Sequence, residues 1–306
     1  MRKSAEGIIH RKIAACGHPI YPGYVVRGSR KTIMIEAGLN ILGPTYYRSI
    51  KNILGEGSPL NYLLVTHGHY DHLGAVTYLK KRMPDIQLLG NKSLAQLMQK
   101  EKVLQTMNFL SQQTGLCFAD IVAELTAADD ISIAPVEFAR ELQEGDTISL
   151  GDMHCVVYET PGHTKDHLSF FIPEEGILFS GEAFGNPIIE KENEVKVEFA
   201  SSYTDYMKSM EKLMVLLPEV KILALSHLYY YTNDDVPRFA EMALRDSMHY
   251  RDLIDSYLDS AHGDIDSAAE TIVRVEYDEK KAVNQERNAY ITNLQAQVKA
   301  VAALRA

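Results

Sequence analysis

Cysteine is scarce in this chain, which has only three in 306 residues, at Cys16, Cys117 and Cys155. They lie far apart and form no C-x-x-C pair, so we expect no disulfide framework and a reducing compartment. No uninterrupted apolar run reaches the roughly 20 residues that a membrane helix needs. The polar residues 10–12 interrupt the N-terminal apolar stretch, so no signal-peptide core is expected. The sequence therefore predicts a cytoplasmic protein with no membrane partner.

Several familiar catalytic and nucleotide-binding patterns are also missing. The chain has no G-x-S-x-G elbow of a serine hydrolase, no P-loop and no dinucleotide-binding glycine pattern. Basic residues are the minority, since 31 Lys and Arg stand against 41 Asp and Glu, for a net charge of −10. Because an acidic surface repels phosphate backbones, we expect no nucleic-acid partner and interpret the excess charge as a solubility feature.

The strongest signal in the sequence is the segment T-H-G-H-Y-D-H at residues 66–72, which follows a short apolar run typical of a buried strand. Alternate residues of an extended segment point to one side, so His67 and His69 are expected to face together. A turn would then bring Asp71 and His72 to a neighbouring position. Imidazole and carboxylate ligands suit zinc, iron or manganese. The segment therefore predicts two adjacent metal sites supplied by one loop.

Three further side chains that can bind a metal come directly after predicted strands, namely His163, Glu182 and His227. Strand ends are where site residues converge in α/β proteins, so these three are predicted to join the cluster. Asp166 and His167 are near His163 and are candidates to orient the ligands. A solvated turn with a packed histidine explains these two equally well.

Helical patterns occupy two other parts of the chain. Residues 92–128 predict one or two helices inserted between strand regions, with strands again over 131–150. Residues 266–305 contain no glycine or proline, and Ser267 with Glu270 predicts a capping box at their start. We expect two parts, a catalytic domain at 1–232 and a helical extension at 233–306 that serves as a lid or as a homodimer contact.

These motifs resemble the metallo-β-lactamase superfamily over roughly residues 8–230. The segments that match are T-H-G-H-Y-D-H at 66–72, T-P-G-H-T at 160–164, F-S-G-E at 179–182 and L-S-H at 225–227. The resemblance implies a four-layer αββα sandwich of α/β class, with two metal ions at one edge between the sheets. The H-Y-D-H core and the helical parts are similar to the thioesterase-like branch that includes 2-aminobenzoylacetyl-coenzyme A thioesterase.

The resemblance also implies a ligand for each coordination position. It implies that His67, His69 and His163 bind the first ion, and that Asp71, His72 and His227 bind the second. A carboxylate would bridge the two ions. The bridging residue of the family is usually aspartate, whereas Glu182 stands here with one additional methylene. Glu182 could therefore bridge the two ions, bind only one of them, or bind neither. Glu36 likewise stands where the family often has aspartate, and we interpret it as a residue that supports a ligand or the fold.

A metal-dependent hydrolase of small carbonyl-type substrates follows, with a thioester, lactone or ester as the bond cleaved. Two divalent ions, zinc by default with iron or manganese compatible, would share the attacking hydroxide. Asp71 is the catalytic candidate because it would ligate one ion and orient the nucleophile or accept its proton. Tyr70 is a candidate oxyanion donor, although packing beneath the ligands is favoured. Tyrosines 229–231 are candidates for the pocket mouth or for a structural strand.

Two other functions use the same residues. A phosphodiesterase or nuclease has the same ligand set, but the acidic balance of the chain counts against it. The second alternative is a metal-binding effector that catalyses no reaction. Glu182 and the long helical extension are compatible with it. An oxidoreductase version of the fold usually has glutamate in place of the second histidine, which His69 argues against.

Overall fold

The computed structural model describes residues 2–55, 57–189, 191–281 and 287–305. The chain divides into two compact units. The first unit comprises the chain up to Glu159 together with Asp166–Gly181 and Leu217–Val236. The second unit comprises Thr160–Lys165, Glu182–Leu216 and the chain from Pro237 onward. The boundary predicted at residue 232 therefore remains a prediction, because the second unit also takes in earlier segments.

Strands predominate before Gly43 and between Ala123 and Tyr203, and helices predominate after Thr232. The strands within the described ranges are β1 (Lys3–Ser4), β2 (Gly7–His10), β3 (Ile13–His18), β4 (Tyr21–Arg27), β5 (Thr32–Ile35), β6 (Tyr62–Leu64), β7 (Gln87–Asn91), β8 (Arg140–Leu142), β9 (Thr147–Ser149), β10 (His154–Glu159), β11 (Leu168–Ile172), β12 (Ile177–Gly181), β13 (Asn186–Ile188), β14 (Lys191–Lys196), β15 (Ile222–Leu225) and β16 (Tyr229–Thr232). The α-helices are α1 (Gly43–Leu54), α2 (Tyr70–Leu73), α3 (Val76–Arg82), α4 (Lys92–Leu97), α5 (Glu101–Gly115), α6 (Ala119–Ala123), α7 (Tyr203–Met214), α8 (Asp235–Ser260), α9 (Ile265–Ile272) and α10 (Arg287–Ala302).

Two seven-stranded sheets form the first unit. One sheet runs β2-β3-β4-β5-β6-β7-β8, and the pairs from β5 to β8 are parallel. The other runs β1-β16-β15-β12-β11-β10-β9, in which β12 and β15 are parallel and the remaining pairs are antiparallel. Parallel strands covered on both faces need continuous apolar runs, which is why β5 and β6 contain almost nothing else.

The main core lies where side chains of both sheets meet. Its large members are wholly buried and alternate along their strands; they include Tyr24, Val26, Ile33, Ile35, Phe170, Ile172 and Phe179. A second cluster covers the other face of the first sheet with residues of α1, α3 and α5. Burying one such side chain contributes about 1.5–3 kcal/mol. Two facing sheets with helices outside are the α/β sandwich that the resemblance implies.

The helical insertion is present between the adjacent strands β7 and β8, as α4, α5 and α6. The prediction of strands throughout 131–150 is wrong for its first part, since only β8 and β9 form there. Two amides of that first part bond to side chains instead of to a neighbouring strand. The Ile133 amide donates to Asn108 Oδ1 at 2.9 Å, and the Ala134 amide donates to Thr77 Oγ1 at 3.1 Å.

The second unit contains the β13–β14 hairpin and helices α7, α9 and α10, with nearly all of α8. The capping box predicted from Ser267 and Glu270 is wrong, because Asp264 caps α9 and accepts from the Ser267 amide at 2.6 Å. A π-helix at Val273–Glu279 follows α9. The helix predicted over 266–305 includes residues 282–286, which lie outside the described residues. Among the helices described, none combines the length and apolar character needed to cross a membrane.

Candidate metal centre

The segment that follows β6 turns sharply from extended backbone into α2. His69 has extended dihedrals, with φ −79° and ψ 145°, and the helix begins at the next residue, Tyr70. Gly68 suits this turn because a Cβ there would lie 2.9 Å from Leu97 Cδ2 and 3.0 Å from Asp166 Oδ2. The ring of His67 lies with its centroid 4.7 Å from that of His69. The two histidines of this pair therefore lie side by side.

Asp71, His72 and His227 form a compact group of possible ligands within the first unit. The Nε2 atoms of His72 and His227 each lie 3.8 Å from Asp71 Oδ2. One ligand atom from each residue lies within 4.8 Å of the others. Two donors bound tetrahedrally to one zinc ion are separated by roughly 3.4 Å. The group therefore fits a divalent ion after only a small contraction.

Glu36 lies behind this group as a buried carboxylate, with 2% of its surface exposed. Its Oε1 accepts from the hydroxyls of Thr66 at 2.6 Å and Ser226 at 2.8 Å, and its Oε2 lies 3.2 Å from His72 Nδ1. Glu36 also adopts a φ of +71°, a strained backbone region for a residue with a side chain. The carboxylate thus joins the two residues that precede His67 and His227 to the ring of His72.

The same pattern of support recurs on two other histidines of this unit, His227 and His67. His227 Nδ1 lies 2.9 Å from the Ile20 carbonyl oxygen, and His67 Nδ1 lies 2.9 Å from Thr66 Oγ1. A neutral imidazole that donates from Nδ1 presents the lone pair of Nε2 as a ligand. The Nδ1 contacts therefore select the tautomer that a metal needs.

His163 and Glu182 form a close pair in the second unit. His163 Nε2 lies 2.6 Å from Glu182 Oε2, and its Nδ1 donates to the Glu198 carbonyl oxygen. The other oxygen of Glu182 accepts from Asn186 Nδ2 at 2.7 Å. Burial lowers the pKa of His163, but the charges of Glu182 and Glu198 outweigh it and leave the pKa raised. The candidate ligand atoms of His163 and Glu182 therefore already lie close together.

Gly162 explains why the turn before His163 has its particular sequence. Its φ is +132°, and a Cβ there would lie 2.2 Å from Tyr206 Cα and 2.2 Å from the Tyr206 amide nitrogen. The Ser201 amide and hydroxyl both bond to the Gly162 carbonyl, at 2.9 Å and 3.0 Å. The close approach of α7 to this turn is possible only without a side chain.

Gly181, at the end of β12, has a comparable role. Its φ is +59°, the register of β12 against β15 shifts next to it, and a Cβ would lie 2.3 Å from His167 Nε2. His167 is buried and its ring lies 5.2 Å from that of His67. His167 therefore packs against a predicted ligand. Asp166 is buried beside Gly68, with its Oδ2 turned toward that glycine.

The aromatic candidates have structural contacts. The hydroxyl of Tyr70 lies 3.0 Å from Thr114 Oγ1 of α5, which joins the motif to the helical insertion. Tyrosines 229–231 lie in β16. Sequence reasoning missed Asn186 and the carbonyl groups of Ile20 and Glu198. A backbone carbonyl carries no signal in residue type, whereas Asn186, four residues after Glu182, was open to detection.

Comparison with known proteins identifies the family. A model of the metallo-beta-lactamase superfamily matches residues 22–227, and the chain belongs to this superfamily. A metallo-beta-lactamase family protein of Thermus thermophilus superposes with a TM-score of 0.64 at 16% identity, covering 97% of this chain and 94% of that one. An archaeal superfamily protein of Sulfolobus tokodaii gives 0.56 at 22% identity, covering 77% and 86%. Both likenesses establish the metallo-β-lactamase fold.

Two relatives with assigned names are similar over part of their length. The chain is 27% identical over 205 residues to the acyl-coenzyme A thioesterase MBLAC2 of Gallus gallus, covering 63% of this chain and 66% of that protein. It is 28% identical over 127 residues to a hydroxyacylglutathione hydrolase of Rhodopseudomonas palustris, covering 42% and 35%. The match therefore spans between about a third and two thirds of these relatives. The first relative confirms the likeness to a thioesterase-like branch.

Proposed function

We propose that the protein is a metal-dependent hydrolase that cleaves small thioesters. One divalent ion would be held by His67, His69 and His163, with Glu182 as an additional carboxylate ligand. A second ion would be held by the ligand group of the first unit, Asp71, His72 and His227. Zinc is the default metal, and iron or manganese suits the same nitrogen and oxygen donors.

The observation that carries this proposal is the shared orientation of the imidazoles. The Nε2 atoms of His72 and His227 both face Asp71 Oδ2 at 3.8 Å, while each Nδ1 faces an oxygen of the protein. A loop that was histidine-rich for solubility would have no reason to bury and orient its rings in this way. Such support of Nδ1 is typical of metal-binding histidine.

The choice of a thioester draws on the named relatives. Acyl-coenzyme A and hydroxyacylglutathione, the compounds in their names, are both thioesters. The acidic net charge disfavours polyanionic nucleic acid, which the same ligand set also serves in phosphodiesterases. Small carbonyl compounds therefore rank above phosphodiesters as substrates.

The residues of this chain have separable tasks in such a reaction. Bound ions would lower the pKa of coordinated water to about 7 and would polarise the scissile carbonyl. Asp71, about a fifth exposed at its side chain, would orient the attacking water and accept its proton. Glu36 Oε2, which lies 3.2 Å from His72 Nδ1, would favour the tautomer that ligates through Nε2.

Elemental analysis of the purified protein, combined with a panel of thioesters, lactones and phosphodiesters, tests the proposal. We expect divalent metal in the protein, thioester cleavage above that of the other substrates, and loss of cleavage after chelation. His69→Ala is expected to lower kcat/KM by about 10³-fold because the site loses a ligand. The matched control is His249→Ala, a histidine on the exposed side of α8.

Three results would contradict the proposal. Thioester cleavage that survives complete removal of metal would exclude the mechanism. Faster cleavage of phosphodiesters would favour the nuclease alternative, and metal without any hydrolysis would favour a binding protein. Cytoplasmic location and homodimer formation through the C-terminal helices stay predictions.

A further inference from the structure

Helix α10 connects to the turn that carries His163 through a short series of hydrogen bonds inside the second unit. We propose that Gln297, on α10, positions His163 for metal binding by fixing the backbone at residues 197–198. The inference rests on the proposed function in one respect, namely that His163 is a ligand. It gives the C-terminal helix a role in the metal centre that neither a lid nor an oligomer contact describes.

The contacts form a continuous path from the helix to the imidazole. Gln297 Nε2 donates to the Val197 carbonyl oxygen at 2.9 Å. That carbonyl belongs to the peptide group that links Val197 to Glu198, so holding it restricts the position of Glu198. The Glu198 carbonyl oxygen accepts from His163 Nδ1, and the opposite ring nitrogen faces Glu182 at 2.6 Å. Displacing Glu198 would therefore release the ring from its ligand orientation.

The burial of Gln297 argues that its amide is present for these bonds. Only 4% of the residue is exposed, and a buried amide is costly unless its polar atoms are paired. Tyr250, on α8, donates to Gln297 Oε1 at 3.0 Å. Because that bond occupies the oxygen, it turns the amide nitrogen toward Val197. An apolar side chain would serve equally well if the position were needed for packing alone.

The hairpin that leads to this segment needs such support. β13 and β14 form a two-stranded sheet, and most residues of β14 are exposed. A lone hairpin is only marginally stable in water. α8 supplies two more bonds, since Asp246 Oδ2 accepts from the Val195 amide at 2.8 Å and Arg245 Nη2 donates to the Asn193 carbonyl at 2.9 Å. The C-terminal helices thus hold both the hairpin and the segment that follows it.

The test measures hydrogen exchange at His163 Nδ1 in metal-free protein labelled with ¹⁵N-histidine. The signal is assigned by its loss in His163→Gln. Gln297→Met keeps the length of the side chain but removes the donor, and we expect exchange to become about tenfold faster. In the zinc-loaded protein, the same variant should weaken binding of one of two ions by about tenfold and leave the other unchanged.

Two further variants separate positioning from general destabilisation. Leu294→Ala creates a cavity on the same helix, so it should lower Tm while exchange at His163 stays at the wild-type rate. Tyr250→Phe removes the hydroxyl that donates to Gln297 Oε1 and that also contacts Tyr290, so its effect on exchange should be intermediate.

Three outcomes would overturn the inference. They are a wild-type His163 with an unprotected Nδ1 proton, wild-type exchange in Gln297→Met, and equal acceleration in Leu294→Ala. Hydrogen exchange at His163 is measured in protein that contains neither metal nor substrate. A wild-type protein that binds no zinc or cleaves no thioester would therefore contradict the proposed function and leave the exchange result standing.

Discussion

His72 of the first unit and His163 of the second unit are oriented by different chemistry. In the first unit, a buried carboxylate, Glu36, faces His72 at 3.2 Å and accepts from Thr66 and Ser226. In the second unit, a backbone carbonyl, that of Glu198, accepts from His163. A carboxylate can be proposed from residue type, whereas a carbonyl becomes a partner only through the path of the chain.

The Glu36 carboxylate and the Glu198 carbonyl are also held in place by different parts of the fold. Glu36 follows β5, a strand in the interior of a seven-stranded sheet, so the ladder fixes it on both sides. Glu198 follows the exposed hairpin of β13 and β14, which depends on side chains of α8 and α10. We therefore expect Glu36 to lose its effect on His72 when its charge is removed. The Glu198 carbonyl should lose its effect on His163 when the surrounding helices are disturbed.

The largest expected effect concerns the first unit and its catalytic candidate. Asp71→Asn removes a charge that would ligate an ion and accept a proton, so kcat for thioester cleavage should fall by about 10³-fold. Asp120→Asn, at an exposed aspartate of α6, is the matched control and should retain wild-type kcat. Near-normal turnover by Asp71→Asn would show that Asp71 is neither a ligand nor a base.

The next prediction compares two glycines, each in the turn of a predicted ligand. Gly162→Ala should lower the free energy of unfolding by about 3 kcal/mol, because its Cβ would meet backbone atoms of Tyr206 at 2.2 Å in a strained φ region. Gly68→Ala should cost only about 1 kcal/mol, since Leu97 and Asp166 side chains can move aside. Urea denaturation measures both, and equal costs would remove this contrast between the units.

A smaller effect is expected from the carboxylate that supports the first unit. Glu36→Gln keeps the shape but removes the charge facing His72, so affinity for the ion at Asp71, His72 and His227 should fall about 10- to 100-fold. Zinc titration followed by competition with a chelator measures the change. The ion at the other site should bind with wild-type affinity. A uniform loss at both sites would instead mean that Glu36 acts on the fold as a whole.

Sequence reasoning reached the ligand segments because their chemistry is carried by residue type. Four possible ligands in residues 66–72, and one after each of three later strands, were identifiable without coordinates. The αββα class came from the resemblance of these motifs, and the helical insertion from the spacing of its apolar residues. Glu36 was recognised as a supporting residue from the same resemblance, although its contacts to Thr66 and Ser226 were not.

The missed features depend on tertiary contacts that leave no local pattern. Whether Glu198 offers its carbonyl to His163 is decided by how the hairpin folds back, and Gln297 lies 100 residues from its partner Val197. The strands expected over 131–139 failed for a related reason, since the side chains of Asn108 and Thr77 satisfy backbone groups there. Composition predicts a strand but not a competing partner.

The smallest expected effect tests whether the sheet alone keeps the ligands of the first unit in position. Tyr24, buried in β4, donates to the Leu225 carbonyl at 2.5 Å, two residues before His227. Burial raises the pKa of Tyr24 well above its usual value, so the hydroxyl remains a donor at alkaline pH. Tyr24→Phe should lower the free energy of unfolding by about 1–1.5 kcal/mol. Because β15 is paired on both sides, the zinc affinity should stay within about threefold of wild type. A tenfold loss of zinc affinity would show that the first unit, like the second, depends on single distant hydrogen bonds.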